Sequence, residues 1–155
     1  MDFNKAIEYV LSHEGGYVND PTDNGGETNL GISKRAYPNE DIKALTKERA
    51  KFLYHRDYWV RGKCDELPSE LRYAHFDACV NMGVKGANKA LQGALGVVVD
   101  GIVGSKTLAA AKGLTLERYL LERMYKYCQI VRRNKSQARY IGGWSQRLMD
   151  ILKVR

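Results

Sequence analysis

The stretch SHEGGYVNDPTDNGGETNLGIS, residues 12–33, decides how the rest of the chain is read. It carries two Gly-Gly pairs and four acidic residues, Glu14, Asp20, Asp23 and Glu27, directly behind an amphipathic helical pattern. In that pattern Phe3, Ala6, Ile7, Val10 and Leu11 recur at helical spacing, Asp2 stands at an N-cap, and Gly15 and Gly16 stop the helix. Glu14 lies seven residues after Ile7, about two turns on, so its carboxylate ends the apolar face instead of joining the solvent face. From Tyr17 to Ser33 the glycines, Pro21 and the Asn/Asp residues read as turns around short strands, a hairpin.

Working outward, Thr46 reads as the cap of KERAKFLYHRDYW and Ser69 as the cap of ELRYAHFDACVNM, which Gly83 closes. A short helix GANKALQGAL follows, then the loop GVVVDGIVGSKT. Thr115 opens a long helix to about Arg133, with Leu116, Tyr119, Leu120, Arg123, Met124 and Tyr127 at helical spacing. GWSQRLMDILKV makes a last helix. The expected fold class is mainly α (α+β): a helical bundle with one small β element near the N-terminus.

The chain has 155 residues, 44% of them hydrophobic, enough for one domain with a real core. No run approaches the ~20 apolar residues of a membrane-spanning helix, and MDFNKAIEYV lacks a signal's basic-then-apolar layout, so the expected site of synthesis and folding is the cytosol. Cys64, Cys79 and Cys128 are odd in number and form no CxxC pair, which points to free thiols. A net charge of +7 favours a polyanionic partner such as nucleic acid, anionic lipid or a bacterial envelope, without choosing among them.

A partly buried carboxyl at the negative end of a helix dipole has a raised pKa. Such an acid can protonate a glycosidic oxygen, and the following glycines let a bulky substrate approach the backbone. Asp20, Asp23 and Glu27 offer the second carboxylate that glycoside hydrolysis requires. The competing reading makes Glu14 a plain helix-end residue and the acids ordinary turn formers.

HEGGYVNDPTDNGGETNLGIS resembles the opening of the family 108 glycoside hydrolases, N-acetylmuramidases found as phage endolysins and bacterial wall-lytic proteins. The likeness continues through YPNEDIKALTKERAKFLYHRDYW, LRYAHFDACVNMGVKGANKALQGALG and VDGIVGSKTLAAA, over roughly residues 8–111. The resemblance implies a lysozyme-like fold and makes Glu14 the catalytic acid. A fainter likeness to phage-type lysozymes, with their E-x8-D-x5-T pattern, fits Glu14 and Asp23 but puts Asn29 at the Thr position, with Thr28 one residue early. Water positioning is thereby left open among Thr28, Asn29 and Glu27. Asn24, Leu30, Val60 and Ser105 depart from the family's usual residues without removing a group the chemistry needs.

Tyr17 is the aromatic best placed to stack on a sugar ring, whereas Tyr58 and Trp59 read as helix-face core residues. Asp77 and Asn81, four apart on one helix face, are candidates for hydrogen bonding to N-acetyl or peptide groups, with a buried polar contact as the rival. VDGIVGSKTLAA resembles the D-G-x-x-G-x-x-T motif of helical peptidoglycan-binding modules, which implies wall recognition; read alone it is a loop and a Ser105 N-cap. The basic run IVRRNKSQAR reads as a solvated helix end. His13, His55 and His75 lack ligand spacing and H-E-x-x-H is incomplete at His13, so no metal and no cofactor are expected.

The expectation is a monomeric, cofactor-independent muramidase. Residues 1–85 form the glycoside hydrolase part and residues 86–155 a helical part resembling a peptidoglycan-binding domain, packed as one unit. Glu14 is the acid, with Asp23 or Glu27 as the second group. Tyr17, Thr28, Asn29, Asp77 and Asn81 are candidates for holding substrate. The partner is peptidoglycan, glycan strand and stem peptide alike, with no nucleic acid and no membrane insertion. The expected setting is a phage endolysin held in the host cytoplasm until a holin-type lesion admits it to the periplasm. The rivals are a wall-binding or secretion-accessory protein without catalysis and, on charge alone, a nucleic-acid-binding domain.

Overall fold

A computed structural model of the chain describes residues 1–19 and 26–154. Helix α1 (Phe3–His13) starts where Asp2 accepts a hydrogen bond from the Lys5 amide at 3.0 Å, and it buries Ala6, Ile7 and Val10. Its C-cap is Glu14, whose backbone is already extended at φ −92° and ψ 139°. The helix therefore ends on the carboxylate, one residue ahead of the glycines.

The expected hairpin is a three-stranded antiparallel meander of β1 (Val18–Asn19), β2 (Glu27–Asn29) and β3 (Ile32–Ser33). Val18 faces Thr28 in the first pairing and Asn29 faces Ile32 in the second. The β2–β3 connection is two residues, Leu30 and Gly31, with φ of 51° and 74°. Two positive φ values mark the mirror-image turn whose twist suits a tight hairpin. A leucine is a strained occupant there, and Gly31 an unstrained one.

Helix α2 (Lys47–Tyr54) is capped by Thr46, whose hydroxyl accepts from the Arg49 amide at 3.1 Å. It runs into one widened π-helical stretch, His55–Val60, and then a 3₁₀ turn, Cys64–Glu66. Helices α3 (Ser69–Met82), α4 (Val84–Leu95), α5 (Ser105–Ala111), α6 (Leu116–Arg133) and α7 (Ile141–Lys153) follow, with a 3₁₀ segment Lys135–Tyr140 before the last. Thr115 caps α6 through the Arg118 amide at 3.3 Å. Ser69 and Ser105 do not cap, contrary to the sequence reading. Pro68 and Gly104 occupy the N-cap positions with extended backbones, and each serine is the first residue inside its helix.

Helix α3 is the axle of the molecule. Leu71, Tyr73, Ala74, His75, Phe76, Asp77, Ala78 and Cys79 are all buried, so it is enclosed on every side. Around it Ile7, Leu53, Trp59, Leu91, Tyr119, Tyr127 and Leu148 belong to one continuous core cluster that draws on residues both before and after position 85. Phe3, Trp59 and Phe76 meet edge to face with ring centroids 5.4–5.7 Å apart, the arrangement aromatic quadrupoles favour. Trp59 is fully buried and its indole N–H donates to Asp65 at 2.9 Å, so it is a core residue. Among the described residues no helix is long and apolar enough to cross a membrane.

Candidate active site

The α1 C-cap, the β2–β3 turn and the end of α2 converge on the Glu14 side chain. The Glu14 carboxyl lies against Gly31, where an added β-carbon would stand 2.8 Å from both the carboxyl carbon and Oε2. The Tyr54 hydroxyl crowds the same point and donates to the Leu30 carbonyl at 3.1 Å. The Leu30 amide in turn donates to the Gly15 carbonyl at 3.2 Å. These two bonds fix the turn against the residues that follow the acid. The half-buried carboxyl has its pKa raised above the ordinary carboxylate range, chiefly by desolvation. Asp77 pushes it further up, while Arg147 and His13 pull it back.

Below the acid is a charge network that the sequence reading missed as a unit. Arg123, fully buried on α6, donates through Nη2 to Asp77 at 2.7 Å and through Nη1 to the Ala74 carbonyl at 3.1 Å. Arg147 on α7 donates through Nε to the other Asp77 oxygen at 2.8 Å. Both oxygens of Asp77 are engaged and the residue is 3% exposed, so the structure has the buried polar contact and not an open substrate contact. Asn81, one turn on, is exposed and accepts from the Tyr127 hydroxyl at 2.6 Å. A signal was available: an arginine inside the apolar stripe of α6 requires a buried acid, and Asp77 sits in an otherwise apolar run. For Arg147 the sequence held no such signal.

Of the other candidates, the Tyr17 hydroxyl donates to Glu27 at 2.8 Å, which ties an exposed ring to a carboxylate across the first strand pair. Asn29 donates from its amide to the Ile42 carbonyl at 3.0 Å, anchoring the sheet to the following loop. Thr28 is half-buried, with its hydroxyl 3.5 Å from the Gly26 carbonyl. Asp23 and Asp20 lie outside the described residues.

A hollow of about 700 Å³ lies between the segment before α2, the π-helical stretch and the α3–α4 junction, within the range of small-ligand sites. Tyr37, Asp57, Tyr58, Arg61, Gly83 and Lys85 are among its walls, so the α3–α4 junction forms one side. Tyr58 is one of its walls, and its ring lies 5.6 Å from that of Tyr54. The Tyr37 hydroxyl donates to Asp57 at 3.0 Å, and the Arg56 guanidinium holds the Asp57 carboxyl below its usual range.

The VDGIVGSKT loop is bound to its own helix. Gln92 on α4 donates to Asp100 at 2.7 Å and to the Ile102 carbonyl at 3.0 Å, and accepts from the Gly101 amide at 2.8 Å. Asn88 donates to the Gly101 carbonyl at 3.0 Å. The polar atoms of the motif thus shape the loop and leave Val98 and Ile102 outermost, 80% and 71% exposed.

Residues 7–83 match the profile of glycosyl hydrolase 108, and residues 86–149 match that of a predicted peptidoglycan domain. The chain is also similar to a solved structure of SagA from Brucella abortus, with 34% identity over 96% of this chain and 90% of that one, at a TM-score of 0.82. The chain belongs to the glycosyl hydrolase 108 family. No protein of curated description matches it significantly. Its mainly α architecture with a small sheet is the lysozyme-like fold that the resemblance implied. As a glycosyl hydrolase 108 protein carrying a peptidoglycan domain, it is a peptidoglycan hydrolase. The two matches meet at the α3–α4 junction, where Gly83 and Lys85 line the hollow.

Proposed function

We propose that the protein is an N-acetylmuramidase, cleaving the β-1,4 bond between N-acetylmuramic acid and N-acetylglucosamine with Glu14 as general acid. The observation that carries this reading is the half-buried Glu14 carboxyl, held against Gly31 and Tyr54 and kept protonated to higher pH by desolvation. In this reading the glycan strand lies over the Glu14 carboxyl, and Glu14 delivers its proton to the leaving oxygen. Asp23 or Glu27 is the second group, as base, nucleophile or charge stabiliser, according to its separation from Glu14. Tyr17, hydrogen-bonded to Glu27, orients that carboxylate and offers a ring face to sugar. The net charge of +7 supports retention on a polyanionic wall. The physiological setting we propose is that of an endolysin, acting on the wall from the periplasm after release from the cytoplasm, as a monomer.

The test is product mass and reducing-end analysis on purified peptidoglycan for the wild type, Glu14→Gln, Glu27→Gln and Asp23→Asn. New muramic acid reducing ends that vanish in Glu14→Gln, with wall binding retained, are the expected result. Undiminished release by Glu14→Gln would move the acid elsewhere. Binding without release by the wild type would return the chain to a wall-binding role.

A further inference from the structure

Two of the three cysteines have no part in the proposed chemistry, yet the fold brings them together. Cys64, in the 3₁₀ turn after the π-helical stretch, and Cys79, near the end of α3, are both fully buried. Their sulfurs converge over one glycine: a β-carbon on Gly62 would stand 2.7 Å from Cys79 Sγ and 3.3 Å from Cys64 Sγ. The two thiols are thus close enough for each to set the acidity of the other.

A base is built in beside them. His75, one turn before Cys79 on α3, engages the Tyr119 hydroxyl through Nδ1 at 2.7 Å. Its buried Nε2 makes no standard hydrogen bond among the described residues, and Cys79 is its neighbour. Hydrogen bonding from Cys64 holds the Cys79 thiol low, with His75 and the buried Arg123 adding to the effect, while Cys64 is pushed up. A thiol made more acidic beside one made less acidic suits the first as attacking sulfur in thiol–disulfide exchange.

We propose that Cys64 and Cys79 are a disulfide site, joined when the chain folds in the presence of a disulfide donor and left as thiols in a reducing compartment. The Cys79 thiolate attacks one sulfur of the donor disulfide, forming a mixed disulfide and expelling one donor thiolate. Cys64 then attacks Cys79 Sγ and expels the second. One donor disulfide is reduced to two thiols, two protein thiols are oxidised, and the two protein protons pass to the expelled thiolates, the first by way of His75 Nε2. Full burial in the finished fold sets the order of events, with the bond made while α3 docks. His75 and Cys79 are four apart on one helix and so meet as soon as α3 forms.

The bond would tie the turn that follows the π-helical stretch to the helix that carries Asp77. In the endolysin setting proposed above the chain folds in the reducing cytoplasm and keeps both thiols, and the bond forms only where folding takes place in an oxidising compartment. Only this choice of compartment leans on the proposed function, and the test does not read lysis.

The full chain is refolded from denaturant either in a glutathione disulfide/glutathione buffer or in excess reductant. Free thiols are then alkylated under denaturing conditions and mapped by peptide mass. The expected result is one alkylated cysteine, the exposed Cys128, after oxidative refolding and all three after reductive refolding. Closing a loop of roughly 15 residues raises Tm on the order of 5–10 °C over the reduced form. That gain is absent in Cys64→Ser and retained in Cys128→Ser. Three alkylated cysteines after oxidative refolding, or a disulfide that includes Cys128, would overturn the proposal without touching the muramidase reading. The wild-type map decides the matter even if Cys64→Ser fails to fold.

Discussion

The Glu14 carboxyl and the Gly31 α-carbon are packed so closely that no side chain fits between them: a β-carbon there would stand 2.8 Å from the carboxyl carbon. Gly31 also has φ +74°, a region that disfavours every residue with a β-carbon. Gly31→Ala therefore strains the turn by about 1 kcal/mol and displaces the acid. A displacement near 1 Å reduces turnover on the order of 10²-fold. Rate on purified peptidoglycan, read beside far-UV circular dichroism, checks this. Full activity in a folded Gly31→Ala protein would mean that Gly31 does not position the acid.

Burial raises the Glu14 pKa above its ordinary 4.5, with Asp77 adding and Arg147 and His13 opposing. A raised carboxyl favours the protonated native state. Its contribution to stability is complete below the ordinary value and is lost as pH rises through the raised one. Glu14→Gln is locked in the uncharged form, so its Tm should exceed that of the wild type at neutral pH, and the two should converge by about pH 4. Activity of the wild type should fall on the alkaline side as the acid ionises. Paired thermal melts and a pH–rate profile measure both effects, and a Tm difference that ignores pH would sink the assignment.

Arg147 links the last helix to the acid through Asp77. Arg147→Met removes a cation that holds the Glu14 pKa down, so the alkaline limb of the rate profile moves to higher pH. Asp77 keeps its Arg123 partner at 2.7 Å, which limits the stability loss to about 1–3 kcal/mol. Arg123→Met removes the fully buried partner and leaves Asp77 only the part-exposed Arg147, which should cost about 3–5 kcal/mol. Arg147→Lys restores charge without the planar guanidinium and should recover the pH profile more fully than the stability. An unmoved alkaline limb in Arg147→Met would confine Arg147 to a structural role.

The parts of this molecule legible in the sequence are those set by neighbours along the chain. Helix α1, its Asp2 cap and the emergence of Glu14 at the end of an apolar face all follow from a period of 3.6 and two glycines. The Gly31 contact, the Tyr54 hydroxyl on Leu30 and the meeting of Cys64 with Cys79 depend on how distant elements dock, and no local pattern encodes that. Asp77 stands between the two cases. Its place in an apolar run pointed to burial, and Arg123 in the α6 stripe pointed to its partner, but pairing them required the α3–α6 contact. The VDGIVGSKT motif carried a resemblance to peptidoglycan-binding modules that the domain match supports, but that its polar atoms hold the loop to Gln92 and Asn88 was not legible along the chain.

The caps offer the sharpest comparison between the two readings, because four residues that look alike in sequence divide in structure. Thr46 and Thr115 accept from the amides three residues on, at 3.1 and 3.3 Å, whereas Ser69 and Ser105 lie inside their helices with no capping bond. Thr46→Ala and Thr115→Ala should each lose about 1 kcal/mol, a Tm drop of roughly 2–4 °C in a chain of this size. Ser69→Ala and Ser105→Ala should stay within about 0.5 kcal/mol of the wild type, since a serine inside a first turn has no orphan amide to satisfy. Denaturant midpoints at constant m-value resolve differences of this size. A loss of about 1 kcal/mol in either serine variant would place its hydroxyl at the cap after all, and with it shift the start of α3 or α5 by one residue.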